Sequence, residues 1–305
     1  MTPPILLAVP NVSEGRDRHT IAMIAQAFTT RDEPKDQQAS RVRLLDVHSD
    51  VDHHRSVFTL VGDAGDLVDG LLSGMREAIE HVNVVSQAHE RGEHPHVGAV
   101  DVVPLVYLDE QTKGVACAAA LVAADRIGEE LGIPVFLYGE LAAGRSRAEL
   151  RRGGVEGLAR RMRGEEAFAL SPDFGPRRMH ARAGATLVAA RPPLVAFNLQ
   201  LAAPATVTDA RRIAGLIREG GAEGLPGVRA IGVPLSGGVG QVSMNVERPL
   251  EIPLAAVVEA VGRHAAVQSA ELVGLAPRAA MEGFPEDLPL PGFDPDRQLI
   301  ENALG

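Results

Sequence analysis

The chain has 305 residues, enough for about two domains at roughly 150 residues each. It is 45% hydrophobic and 23% charged, the ordinary range for a chain that buries a core. A net charge of -10 argues against a basic nucleic-acid face, and a single cysteine, Cys117, excludes an intramolecular disulfide and any multi-cysteine metal centre.

Cys117 falls in an Ala/Val-rich stretch and reads as a core residue. No apolar run reaches the ~20 residues of a spanning helix, and Met1-Thr2-Pro3-Pro4 lacks the basic start of a signal peptide. The expectation is a cytoplasmic protein with neither membrane nor nucleic-acid partners.

Taken in chain order, the apolar period switches between strand-like and helix-like. Residues 5–9 read as a strand and 18–29 as a helix. Residues 42–47 and 56–61 read as strands around a polar turn at 49–54. Residues 67–82 carry apolar side chains at helical spacing. Residues 100–108 read as a strand, 112–131 as a helix stopped by Gly132, and 133–138 as a strand. A second set follows: strand 195–202, helix 208–219 capped by Thr206 or Thr208, strands 228–234 and 239–246 joined by Ser236-Gly237-Gly238, helix 254–266 and strand 268–273.

Each set is β-α-β-β-α-β. The expected class is α+β, two ferredoxin-like subdomains with a ligand cleft between them. The joint is expected in the Pro/Gly/Arg-rich stretch 175–192, giving domains at 1–180 and 181–305. The Pro- and Asp-rich tail at 285–295 is expected to lie over the surface.

Seven of the ten histidines fall between positions 48 and 96, densest in Glu93-His94-Pro95-His96. Histidine changes charge near neutral pH, and a Gly/Pro-framed loop is a usual carrier of catalytic groups. His94 is therefore a candidate general acid or base. The His94/His96 pair lacks convincing further ligands, so no metal is expected. Asp46 to Arg55 is dense in carboxylates and imidazoles, and Arg55 could clamp a carboxylate. Val9-Pro10-Asn11-Val12-Ser13-Glu14-Gly15-Arg16 runs from a strand end to a helix start, where backbone N–H groups favour anions. Between Gly175 and Gly184, Arg177, Arg178 and Arg182 form a basic cluster in an acidic protein, a site for an anionic ligand or a solvated linker.

Several strings occur together in order: Pro10-Asn11-Val12-Ser13-Glu14-Gly15, His54-Arg55-Ser56-Val57-Phe58-Thr59, Gly92-Glu93-His94-Pro95, Gly98-Ala99-Val100-Asp101, Leu137-Tyr138-Gly139-Glu140, Pro172-Asp173-Phe174-Gly175-Pro176 and Gly184-Ala185-Thr186. In this the chain resembles the glutamate formiminotransferases over nearly its whole length. These are the formiminotransferase domain of formiminotransferase-cyclodeaminase and its stand-alone bacterial relatives. The resemblance implies transfer of a formimino group between tetrahydrofolate and L-glutamate, in histidine degradation, by a homodimer of small-molecule specificity without a metal.

It places the catalytic histidine on His94. It places folate binding on Gly175, Pro176, Arg177, Arg178, Met179, His180, Ala181, Arg182, Ala183 and Gly184. Asn11, His48 and Arg55 are further substrate-binding candidates. The sequence departs from the animal domain at His48, which stands in place of an acidic residue, and at His54, which stands in place of an asparagine. The alternatives are formyl transfer, another acceptor such as glycine, or a non-catalytic folate-binding homologue.

Overall fold

A computed structural model describes residues 4–29, 42–85, 95–166 and 168–305. The chain is mixed α/β with two sheets, carried by two compact units, Met1–Pro192 and Pro193–Gly305.

The first unit begins with a strand in two pieces, β1 (Leu6–Ala8) and β2 (Asn11–Val12). Pro10 lies between them and has no N–H to give the ladder. The chain stays in the sheet because Val9 N donates to Pro104 O (3.1 Å) and Phe58 N to Pro10 O (3.0 Å). There follow α1 (Arg18–Thr29), β3 (Arg43–Asp50), β4 (Arg55–Gly62), α2 (Ala64–His81), β5 (Val100–Val106), α3 (Lys113–Leu131), β6 (Val135–Leu137), α4 (Arg147–Arg151), α5 (Gly154–Met162) and β7 (Thr186–Arg191). Across the sheet the order is β3, β4, the β1/β2 strand, β5, β7, β6. The first three junctions are antiparallel, and β5–β7 and β7–β6 are parallel.

The start of α2 and the end of α3 have local causes. Asp63 caps α2 by accepting from Asp66 N at 2.9 Å, and Gly132 ends α3 in the left-handed conformation at φ 64°. α1 lies close to α2 because Gly74 carries no side chain: a Cβ there would stand 2.1 Å from the Phe28 ring. Phe28, Phe58, Leu60, Leu71 and Met75 fill the core under α1–α3, with Phe28 tilted on Phe58 at 5.2 Å between ring centres. Val102, Phe136, Leu150, Leu158 and Leu187 form a second cluster involving α4 and α5.

The second unit contains β8 (Val195–Leu201), α6 (Val207–Ile217), β9 (Val228–Pro234), β10 (Gly240–Val246), α7 (Leu254–Gly262) and β11 (Val267–Val273), with short helices α8 (Pro295–Gln298) and α9 (Ile300–Leu304) at its end. Its sheet runs β11-β8-β10-β9, antiparallel throughout. Thr206 is the α6 cap, in a reciprocal box with Asp209 that also lowers the Asp209 carboxyl.

Two expectations change. The compact units divide between Pro192 and Pro193 rather than at 180/181, because β7 pairs with β5 and β6. Its run Thr-Leu-Val-Ala-Ala is buried in a parallel setting, where apolar/polar alternation vanishes. α4 and α5 lie where the sequence reading assigned no element. The 285–295 tail lies over the surface as expected, none of its residues being buried, and is anchored there: Ala270 N donates to Pro289 O at 2.8 Å, and half-buried Leu288, Leu290 and Phe293 pack on the core of the second unit.

Candidate functional site

The strand-end segment after β2 and the β3–β4 turn form one structure. Ser13 holds the segment against the strand beyond it, N to Ala99 O and Oγ to Gly98 O, both at 2.8 Å. Glu14 O accepts from Ser56 Oγ at 2.6 Å, and Gly15 N donates to His54 Nδ1 at 3.1 Å. A Cβ on Gly15 would lie 2.1 Å from Asp50 O and 2.4 Å from Arg55 N, so a glycine is required for the two segments to meet. In the turn, Asp50 Oδ1 accepts from His53 N at 2.6 Å, and His54 takes a left-handed φ of 47°. With Nδ1 accepting, the neutral His54 ring carries its proton on Nε2.

This arrangement lines a small pocket with Asn11, Val12, Ser13, His53, His54, Arg55, His96 and Asp101. Asp101 is buried. Its Oδ1 accepts from Val97 N at 2.8 Å and its Oδ2 from Arg151 Nη2. Arg55 is pushed down to about 9, by burial first and then by the Arg151 guanidinium, while Asp101 opposes the shift and Arg147 adds to it. It remains a cation at neutral pH. A buried guanidinium crowded by two others gains from an approaching anion.

The helix α4 delivers these other two arginines. Ser146 and Glu149 form its capping box, and Arg147 sits 5.7 Å from the centre of the Tyr138 ring. Arg161 of α5 is buried and holds the α4 end, donating to Glu149 O, Leu150 O and Arg152 O at 2.8 Å each. Burial lowers its pKa, as expected of a cation satisfied by carbonyls rather than a carboxylate. Sequence reasoning assigned no role to Asp101, Arg147, Arg151 or Arg161. The Ser146-x-x-Glu149 spacing was the one available signal, marking a helix start.

The stretch 175–184 is pinned at both ends. At its start Phe174 O accepts from Val135 N at 3.0 Å, and a Cβ on Gly175 would lie 2.5 Å from Ile133 O. At its end His180 and Gly184 exchange backbone bonds of 3.0 and 3.1 Å. His180 Nδ1 accepts from Ala183 N at 2.9 Å and Arg182 N at 3.3 Å. Met179 packs on the core; Arg177, Arg178 and Ala181 are exposed. Arg182 is committed elsewhere: its Nη2 donates to Glu80 O at 2.8 Å, serving a carbonyl of the last turn of α2.

Beyond the loop, Ala99 N donates to Ala183 O (2.9 Å) and Ala185 N to Val97 O (3.0 Å). The segment following His94 is thus stitched to the end of the 175–184 loop, through a Gly98–Gly184 bridge.

Burial, and after it Arg182, lowers the His180 pKa. The folded state then binds fewer protons at this ring than the unfolded chain. The stabilising contribution is full above about 6.5 and is lost as pH falls through the lowered folded value. His180→Asn keeps a side-chain acceptor and does not titrate. Melting curves at several pH values should show wild type losing stability relative to this variant below about pH 6.5. A constant difference across that range would refute the coupling.

Asn11 and Arg55 therefore share a pocket, together with His53, His54 and His96. His48 lies on β3 opposite Val57, which pairs on its other side with Asn11, so the three form one row across the sheet; His48 does not line the pocket. His94 lies outside the described residues. Among the described residues the one grouping of three metal-ligand types is Glu77, Glu80 and His81 on α2, none of which lines the pocket. No described helix is long and apolar enough to cross a membrane.

Residues 5–191 match the family described as the formiminotransferase domain, N-terminal subdomain, ending with β7. A glutamate formimidoyltransferase of Streptococcus pyogenes serotype M1 is 36% identical over 311 residues, covering 98% of this chain and 98% of that one. One of Thermoplasma acidophilum is 36% identical over 309 residues, covering 97% and 96%. The formimidoyltransferase-cyclodeaminase of Gallus gallus is 37% identical over 287 residues, 90% of this chain and 50% of its own length.

Proposed function

The chain belongs to the glutamate formimidoyltransferase family, and from that premise we propose that it moves a formimino group between tetrahydrofolate and L-glutamate. The observation that carries the reading is the stitching of 95–99 to 183–185. It joins residues 97–99, which follow the Glu-His-Pro motif in sequence, to the end of the loop assigned to folate, although more than eighty residues separate them in the chain. A histidine and a folate must meet for this chemistry, and proximity supplies much of the rate.

His94 is the general acid/base. It takes the proton from the attacking nitrogen of one partner and returns it to the departing nitrogen of the other, so one ring closes the proton count. Arg55, with Arg147 and Arg151 behind it, favours the carboxylate of the amino-acid partner. Tetrahydrofolate is a co-substrate, and the chemistry calls for no metal, since a protonated formimino carbon is already electrophilic. The βαββαβ order in each unit, with sheet order β11-β8-β10-β9 in the second, supports the ferredoxin-like assignment. A cytoplasmic homodimer acting in histidine degradation completes the proposal. Purified protein should convert N-formimino-L-glutamate and tetrahydrofolate to glutamate and 5-formiminotetrahydrofolate. Turnover of N-formyl-L-glutamate in its place would overturn the formimino assignment.

Arg177 and Arg178 are the loop cations open to a folate glutamyl tail; Arg182 already serves α2. Exposed charge pairs are worth at most about 1 kcal/mol each. Replacing both with alanine should weaken binding of polyglutamylated 5-formyltetrahydrofolate by about tenfold, and of the monoglutamate less. Equal affinities in titrations of both folates would remove these arginines from tail binding.

A further inference from the structure

Asn11 is 4% exposed and lines the pocket, yet its Oδ1 has no donor among the described residues. A buried acceptor left so costs about 1–3 kcal/mol, and native structures hold few of them. The amide is not free to turn over, because Nδ2 donates to Val9 O at 2.9 Å. The remaining atom is therefore an acceptor, not a donor. The strand bulges between Asn11 and Val12 where it pairs with β5, a device that re-aims side chains beside functional sites.

The pocket thus offers a fixed lone pair that asks for an N–H. A formimino group ends in nitrogen bearing hydrogen; a formyl group of nearly the same shape ends in an oxygen that only accepts. We propose that Asn11 Oδ1 accepts a hydrogen bond from the terminal N–H of the formimino group and so makes the site choose formimino over formyl. This rests on the reading of the chain as a formiminotransferase. Facing Asn11, a formyl oxygen would set two acceptors together and leave both unsatisfied. Sites built around such a bond reject the mismatched analogue far more strongly than apolar pockets do.

The test is direct calorimetric titration with N-formimino-L-glutamate and N-formyl-L-glutamate. Wild type should bind the formimino compound at least about a hundredfold more tightly. Asn11→Leu, close in size, should reduce that ratio by tenfold or more, through weaker formimino binding. Asn11→Val, suited to a strand, provides the same loss of acceptor should the leucine fail to fold. Asn11→Asp keeps an acceptor and should keep the preference. Equal binding of the two compounds by wild type, or an unchanged ratio in the apolar variant that folds, would overturn the proposal. Turnover with tetrahydrofolate is measured separately. A preference that depends on Asn11, without turnover, would support the Asn11 role while sinking the transferase reading. Normal turnover with an insensitive ratio would do the reverse.

Discussion

Replacing His94 with glutamine is expected to lower kcat by roughly 10²-fold or more while the protein folds normally, the scale of general acid–base catalysis by one positioned group. The effect should fall on kcat rather than KM, because the ring's role is to move a proton in the transition state. The acid limb of the pH–rate profile should vanish with it, since glutamine does not titrate. Three other histidines, His53, His54 and His96, line the pocket and set the control. His54 Nδ1 already accepts from Gly15 N and belongs to the scaffold. His96→Gln tests whether its neighbour in the same motif shares the work, and its expected cost is under about tenfold. A larger loss in His96→Gln than in His94→Gln would transfer the acid–base role to His96.

Sequence alone made much of the architecture legible where the physics is local. α1 at Arg18–Thr29 and β9 at Val228–Pro234 stand where periodicity puts them, because an amphipathic helix and a half-buried strand each write their period into the chain. β7 was hidden because a parallel strand between two others is apolar on both faces and has no period. Asn11 and Arg55 were recognisable as candidates from their motifs. That they share a pocket with Asp101 was not, since it depends on three strands meeting and on a glycine, Gly15, that lets two backbones touch. Arg147 and Arg151 escaped notice for a different reason: an arginine on a short helix reads as solvated surface until its partner is found, the buried Asp101 carboxylate for Arg151 and the Tyr138 ring for Arg147.

Gly98→Ala is expected to be the most damaging single methyl in the first unit. A Cβ at Gly98 would stand 1.7 Å from Ala185 O and 2.9 Å from Ala183 O. Both obstacles are backbone, so no rotamer change relieves them. The displaced segment 183–185 also carries the bonds Ala99 N to Ala183 O and Ala185 N to Val97 O. Relief therefore requires breaking the stitch between residues 97–99 and the end of the 175–184 loop. Overpacking of this kind costs on the order of 3 kcal/mol or more. In a unit of this size that lowers Tm by roughly 6–12 °C. Gly114 near the start of α3 has nothing within 4 Å of a built Cβ, so the same substitution there meets no clash. There alanine should raise stability by up to about 1 kcal/mol through helix propensity. The same methyl thus changes sign with its surroundings. Melting curves of the two variants, read beside folate binding at a temperature where both remain folded, separate general destabilisation from loss of the loop junction. A Gly98→Ala protein that melts within about 2 °C of wild type and binds folate normally would show that the two segments do not depend on this contact.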